Sequence, residues 1–374
     1  MKVLVALGTR PEVIKLAPVI VALQQRLEVK VCASGQHQEM LQQALDAFGL
    51  RPDHLLDTMS PGRSLNILAA RLLEGMDAVL EQERPDWVLV QGDTTTAFCA
   101  GLAAFQRQIR VGHVEAGLRT GDLSSPFPEE ANRSLLARIA TRHFAPTARA
   151  KQALLNEGIP ANAILVTGNT VVDAIDMARA SWLTTSSLLP AILDYNSPAT
   201  PVVLITCHRR ENFGDVLAGI CAMLSRLAAR YPDHRFLFPV HLNPNVRRPV
   251  MQALSDIPNL SLIEPVDYHA SLALIARSCL IISDSGGIQE EAPSFGVPVV
   301  VMRTHTERSE GVEAGFATLA GQEPAAIEEA ACRWLDEPER QEALMQHLNP
   351  YGDGRASARI VASLMGDPTE VFHG

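Results

Sequence analysis

"KVLVALGTRPEVIKLAPVIVALQQRLEVKVCAS", Lys2 to Ser34, decides the fold. Lys2–Leu7 is a short, nearly unbroken apolar run, as expected of a strand buried on both faces of a parallel sheet. Pro11–Leu27 follows with helical periodicity, its proline at a tolerated first-turn position. Val29–Ser34 is a second strand-like run. Strand, helix, strand makes one βαβ unit. Working outward, Trp87–Gly92, Arg110–Glu115, His143–Pro146 and Ile164–Asn169 read as further strands, and Ser64–Arg84 as one of the helices between them. Around 182–200 the periodicity lapses and the chain reads as a linker. It then restarts with Pro201–Cys207, Arg235–Val240, Leu260–Pro265, Leu280–Ser285 and Pro298–Met302. The expectation is an α/β protein of two Rossmann-like, doubly wound parallel-sheet domains, residues 1–170 and 171–353. The closing segment 354–374, helical over Gly354–Met365, is expected to pack back on the first domain.

The totals agree. The chain has 374 residues, and roughly 100–200 residues per domain gives two domains or three. With 47% hydrophobic and 20% charged residues it reads as a soluble globular protein with a large core. The formal net charge of −10, with no basic stripe, argues against a nucleic-acid partner. Anionic small molecules stay open, because a few local arginines suffice for them. The six cysteines are scattered, without metal-ligand spacing, and read as reduced, buried thiols of a cytoplasmic protein. "MKVLVALGTRPE" does not read as a signal peptide. No apolar run approaches the ~18 residues of a membrane span.

One internal echo links the halves: "VLVALGTRPEVI" and "VVLITCHRRENF" each run strand, tight turn, arginine, acid at a helix start. They place basic turns at the carboxyl ends of two first strands, where open α/β sheets bind ligands. In the first, Arg10 stands at a helix N-terminus that favours anions and can fork onto a phosphate; an exposed loop arginine is the plain alternative. In the second, His208 has Arg209 and Arg210 beside it. A lone histidine is usually a satisfied core residue, but burying two neighbouring cations is costly. "ISDSGGIQEEAPSFG" (282–296) has the form of a phosphate nest: Ser285 offers a hydroxyl, Gly286 and Gly287 allow close approach of backbone N–H groups, and Glu290 or Glu291 could reach a ribose. A capped glycine turn is the alternative. No Walker A pattern and no GxGxxG fingerprint occur.

The carboxylates come next. Asp93 in "QGDTTTAF" closes the third strand-like run, and as an isolated motif it reads best as a helix cap. "VGHVEAGLRTGDLSSPFPEEANR", Val111 to Arg133, shifts that balance. Glu115 ends a strand, Glu129 begins a helix, and thirteen residues lie between them, where α/β connections ordinarily take about 2–6. Asp93, Glu115 and Glu129 could thus converge, one serving as acid and another as base. Charge at the start of a helix dipole is the plain reading of Glu129 and Glu130.

With these motifs assembled, the chain resembles the non-hydrolysing bacterial UDP-N-acetylglucosamine 2-epimerases. The likeness runs from "GTRPEVIKLAP" through "GQHQEML", "QGDTTTAF", "GHVEAGLRTGDLSSPFPEEANR", "TGNTVVDA", "CHRRENFG", "PVHLNPNVR" and "SDSGGIQEEAPSFGVPVVVMR" to "NPYGDGRASARI", nearly the whole chain. It implies the GT-B fold with the active site in the cleft between the domains. It implies catalytic Asp93, Glu115, Glu129 and His208. It implies substrate and UDP contacts at Arg10, Lys15, Ser285, Gly286, Gly287, Glu291 and Arg308, and neither metal nor cofactor. The implied reaction interconverts UDP-N-acetylglucosamine and UDP-N-acetylmannosamine through UDP and 2-acetamidoglucal, as precursor supply for surface polysaccharide. A homodimer is implied as well.

Many members bind a second, activating UDP-N-acetylglucosamine, which maps to Gln36, Glu39, Gly62, Glu129, Arg209 and His241. The family usually has Gln where this chain has Glu39 and Arg where it has Gly62. Arg63 could substitute for that arginine. An extra carboxylate near a diphosphate is unfavourable, so weak or altered activation is expected. The rival readings are a hydrolysing epimerase, an epimerase of a diacetamido uronic-acid UDP-sugar, a GT-B glycosyltransferase and a non-catalytic nucleotide-sugar sensor.

Overall fold

The computed structural model describes residues 1–35, 38–58, 64–182 and 200–374; the side chains of residues 38–40, 180–182 and 210 also lie outside the description. Gln36, Gly62, Arg63 and the side chain of Glu39, expected at a regulatory site, therefore fall outside the described residues, as does most of the expected linker.

The chain divides into two compact units, Met1–Arg179 with Tyr351–Gly374, and Ala180–Pro350. The first holds strands β1 (Lys2–Leu7), β2 (Glu28–Ala33), β3 (His54–Leu55), β4 (Trp87–Gln91), β5 (Arg110–Val114), β6 (Arg142–Ala145) and β7 (Ile164–Val166). The second holds β8 (Val202–Thr206), β9 (Arg235–Pro239), β10 (Leu260–Ile263), β11 (Ser278–Ser283), β12 (Val299–Val301) and β13 (Ala317–Leu319). Every pairing is parallel, in the orders β3-β2-β1-β4-β5-β6-β7 and β10-β9-β8-β11-β12-β13. Helices cover both faces, so the central strands are buried throughout. Leu4, Val88, Val90 and Val111 line the first core, and Val203, Phe236, Phe238 and Ile282 the second.

Two strands escape the sequence reading. β3 has two residues and β13 three, and neither carries a Val/Ile/Leu run. Because β3 is inserted, Asp93 follows the fourth strand rather than the third. The unit boundary also differs from the expected 170/171, which would cut helix Thr170–Trp182 near its start. That helix buries Val171, Ala174, Ile175 and Ala178. Its Asp173 accepts from Ala356 N (3.2 Å) and Ser357 N (2.8 Å), which caps the closing helix Ala356–Met365 from outside. Arg359 Nη1 donates to Thr167 O (2.9 Å) and Phe372 N to Val166 O (3.0 Å). These bonds tie the end of the chain to the first unit.

The sheet orders fix where ligands are received. In each unit the chain winds outward over three strands and then returns to the other side of the first. The reversal falls between β1 and β4, and between β8 and β11. Doubly wound sheets bind ligands outside the carboxyl ends of the strands at such switch points.

All six cysteines are free thiols, and all but Cys279 are buried. Burial pushes Cys32 up to about 12, and Cys99, Cys221 and Cys279 to about 11, as for inert core thiols. No helix of the described residues is long and apolar enough to cross a membrane.

Two buried histidines sit opposite each other in the β5/β6 register, His113 and His143. His113 Nε2 lies 2.7 Å from Gly92 O and so carries the proton. Burial first, and then the neighbouring histidine's charge, press His113 down to about 3; burial first, and then Arg119, press His143 to about 4. A group depressed in the folded state contributes stability that is complete above its unfolded value and lost as pH falls toward the folded one. Both histidines lose stability below about 6.5. Glu12, raised to about 7, opposes them only between about 4.5 and 7. The thermal midpoint is therefore expected to fall steeply below about pH 4.5. His113→Gln keeps a donor for Gly92 O and removes one titrating group, so it should flatten that limb in a midpoint-against-pH series.

Candidate active site

In the first unit the β1 turn begins at Gly8. A Cβ there would lie 2.4 Å from both Ser34 Oγ and Thr96 Oγ1, so only glycine fits beneath the turn. Arg10, half-buried, opens helix Arg10–Gln24 and makes no hydrogen bond or ion pair among the described residues. Glu12, one turn in, is buried. It accepts from Gly8 N (3.1 Å) and from Thr94 Oγ1 (2.8 Å). Burial raises its pKa to about 7, against the hydrogen bonds from Thr9 and Thr94. One carboxylate thus staples the β1 turn to the β4 turn across the switch point.

The β4 turn settles the role of Asp93. The cap of helix Thr95–Gln106 is Thr94, whose hydroxyl accepts from Ala97 N at 3.0 Å. Asp93 is therefore not the cap that its motif alone suggested. Its backbone carbonyl accepts from Asn132 Nδ2 (2.9 Å), and its carboxylate, 28% exposed, lies 3.5 Å from Arg133 Nη1.

Glu115 follows β5 in the left-handed region, at φ +62°. This conformation is uncommon outside glycine, and such strain clusters at functional sites. Lys15 Nζ and Asn169 Nδ2 (3.0 Å) both donate to Glu115 Oε2, and the Lys15–Glu115 pair is buried. Lys15, expected at the UDP, here holds a carboxylate.

The bridge to Glu129 is an ordered strap. Thr120 Oγ1 donates to Ser125 O (2.6 Å), and Asp122 Oδ1 accepts from Ser124 N (2.9 Å) and Ser124 Oγ (2.6 Å). The Ser125–Pro126 and Phe127–Pro128 peptides are cis. Glu129 is the first residue of helix Glu129–Ile139 and is half-buried. Glu130 is no surface dipole charge. It is buried, and its two oxygens accept from Thr120 N (3.1 Å) and Gly121 N (3.0 Å).

The second unit repeats the design. Asp284, after β11, is wholly buried and reaches across its switch point to the β8 turn. It accepts from His208 N (2.9 Å), Arg209 N (2.9 Å) and Asn212 Nδ2 (2.9 Å), and its Oδ1 lies 3.1 Å from His208 Nδ1. Burial pushes this carboxyl up, but the His208 ring and the two amides outweigh it and hold it at about 2, ionised. With Nδ1 engaged, Nε2 of His208 is the nitrogen left for a ligand. His241 stacks on the His208 ring, centroids 6.1 Å apart.

Around them stands an arginine cluster. Arg308 Nε donates to Glu290 Oε1 (2.8 Å), and Arg308 and Arg303 both pair with Glu307, at 3.1 and 3.3 Å. Burial raises Glu307, and Arg308, Arg303 and Arg209 overcome it and bring it to about 2. Burial also lowers Arg209, with Arg303 adding to the effect. The Arg308 guanidinium lies against Gly286, where a Cβ would come within 2.7 Å of its Cζ; at Gly287 the nearest atom is 3.8 Å away. Ser285 opens helix Gly286–Glu291, and Glu291 is buried on it. Sequence reasoning missed Glu12, Asp284, Glu130, Arg303 and Glu307. Each is an acid or arginine in or near a stretch already singled out, but its part depends on contacts that no single motif shows.

Two switch points, one lined by carboxylates and one by a histidine and arginines around a glycine turn, define a class: two-unit, doubly wound α/β proteins with acid–base groups in one unit and an anion-receiving turn in the other. The model of the family "UDP-N-acetylglucosamine 2-epimerase" matches residues 21–365. A probable UDP-N-acetylglucosamine 2-epimerase of Ralstonia solanacearum is 49% identical over 97% of this chain and 98% of its own, and the Escherichia coli K12 enzyme of that name is 47% identical over 97% and 98%. The crystal structure of the Neisseria meningitidis epimerase bound to UDP-GlcNAc superposes with a TM-score of 0.93 at 46% identity, covering 98% of this chain and 100% of that one. The chain belongs to the UDP-N-acetylglucosamine 2-epimerase family, and its two parallel-sheet units are of the GT-B type.

Proposed function

We propose that this protein interconverts UDP-N-acetylglucosamine and UDP-N-acetylmannosamine, without hydrolysing them. The observation that carries this is the division of chemistry: Asp93 and Glu115 stand at the carboxyl ends of neighbouring strands in one unit, and the Asp284–His208 pair with its arginines stands at the switch point of the other. The hydrogen on carbon 2 of the sugar is not adjacent to a carbonyl, so its removal needs a leaving group. Expelling UDP from carbon 1 gives 2-acetamidoglucal; adding UDP back with a proton on the opposite face inverts carbon 2. A base on one face and an acid on the other are drawn from Asp93, Glu115 and Glu129. Glu115 is kept in place by Lys15 and Asn169. Arg10, His208, Arg308 and the Ser285–Gly287 turn stabilise the departing diphosphate, with Glu291 toward the ribose.

Proton NMR of UDP-N-acetylglucosamine with the enzyme in deuterated water tests this directly. Appearance of the manno isomer with deuterium at carbon 2 is expected, and free N-acetylmannosamine as the main product would overturn it. The setting belongs to the same proposal: a cytoplasmic homodimer supplying surface polysaccharide, with Arg209 and His241 available to a second, activating UDP-N-acetylglucosamine. Gly286→Ala probes the diphosphate side. Gly286 has no positive φ, so alanine suits the backbone, but Arg308 is fixed by two carboxylates and must move. UDP affinity by calorimetry is expected to drop about tenfold, equivalent to about 1.4 kcal/mol. Unchanged affinity would remove Arg308 from the UDP site.

A further inference from the structure

We infer that Glu130 and Arg133 are positioning residues that lock the 116–128 strap and Asp93 into one arrangement. This rests on the proposed catalytic role of Asp93. Both side chains are buried on the first turns of helix Glu129–Ile139. Glu130 faces the strap, where its carboxylate receives the Thr120 and Gly121 amides at 3.1 and 3.0 Å. Arg133 Nε lies 2.8 Å from Glu130 Oε2, and Arg133 Nη1 lies 3.5 Å from Asp93 Oδ2. Asn132, between them, donates to the Asp93 carbonyl at 2.9 Å. An unbroken path of contacts thus runs from strap backbone through Glu130 and Arg133 to the Asp93 carboxylate. Arg133 is the hinge of this path, because a single guanidinium meets both acids. A strap that lifts withdraws its two amides from Glu130, and Arg133 then loses the partner that aims it at Asp93.

The chemistry of substitution follows from the donors. In Glu130→Gln one carboxylate oxygen becomes an NH2 group, which cannot accept from a backbone amide. The strap loses one of its two anchors while the volume stays the same. In Arg133→Met the Asp93 partner is gone; in Arg133→Lys a charge remains, but one ammonium cannot fork between two carboxylates.

The test uses the full chain with four variants: Arg133→Met, Arg133→Lys, Glu130→Gln and, as reference, Asp93→Asn. The readouts are kcat, KM and UDP affinity. Misplacing a catalytic group costs up to about a hundredfold, so Arg133→Met is expected to lose about that in kcat, with KM and UDP affinity within about twofold of the parent. Glu130→Gln should lose about tenfold in kcat alone, and Arg133→Lys should recover part of the Arg133→Met loss. Parental kcat in Glu130→Gln and Arg133→Met would overturn the inference. So would kcat, KM and UDP affinity worsening together, the mark of a purely structural role. If Arg133→Met does not fold, Glu130→Gln and Arg133→Lys decide by the same criterion. Parental turnover in Asp93→Asn would instead overturn the catalytic reading of Asp93, separately from the coupling.

Discussion

Glu115→Gln is expected to lower turnover by about 10²–10⁴-fold, the range for loss of a positioned acid or base, while leaving UDP binding intact. The substitution is nearly isosteric. The left-handed backbone at φ +62° is already met by a non-glycine residue, so the strand end need not move. Lys15 and Asn169 both donate to Oε2, and the amide's one remaining oxygen can still receive them. What the variant loses is a carboxylate able to take or return a proton. UDP is held in the proposal by Arg10 and by residues of the second unit rather than by Glu115, so calorimetry should find the parental affinity. Exchange of the carbon 2 hydrogen with deuterated water should nearly stop. Asp93→Asn and Glu129→Gln are expected to behave in the same way, and near-normal exchange in any one of the three would take that residue out of the mechanism.

Why Glu115 is legible in the sequence and Glu12 and Glu130 are not is a matter of distance along the chain. Parallel strands buried on both faces must be apolar runs, so eleven of the thirteen strands among the described residues announce themselves. The two that do not, β3 and β13, are too short to carry a pattern. The same limit applies within the site. Glu12 and Glu130 each look like an acid in the first turn of a helix, where the dipole favours one. The sequence cannot show that Glu12 meets Thr94 82 positions later, or that Glu130 faces back onto a strap. The Asp93 motif in isolation reads as a cap because Asp caps well, but Thr94 beside it does the capping.

The internal echo becomes physical at this level. In both units a buried carboxylate crosses the switch point: Glu12 gathers Gly8 N of its own turn and Thr94 Oγ1 of the opposite one, and Asp284 gathers the His208 and Arg209 amides of the opposite turn. The acid sits on the first strand's side in one unit and on the returning strand's side in the other. The likeness is therefore one of solution rather than of register. Holding two turns together at a switch point takes a group that accepts several bonds, and a carboxylate is the compact side chain that does so.

Asp284→Asn carries the largest expected structural penalty. This wholly buried side chain accepts from the amides of His208 and Arg209 and from Asn212 Nδ2, and it lies 3.1 Å from His208 Nδ1. An asparagine turns one oxygen into a further donor, and at least one of these groups is left facing it. Breaking one side of a buried charged network costs about 3–5 kcal/mol, and the thermal midpoint should fall accordingly. The folded carboxyl is held at about 2, below its ordinary value, so its stabilisation is present above the unfolded pKa and lost as pH falls through the folded one. The variant should lack that part of the acid limb. Turnover should fall by at least about a hundredfold, because His208 loses the group that fixes its ring and directs Nε2. Double-mutant analysis separates this from simple damage to the fold. If Asp284 acts through His208, adding Asp284→Asn to His208→Ala should change kcat by no more than about twofold, since the two lesions remove the same function. Rate losses that multiply would show that Asp284 serves the reaction by a route other than His208.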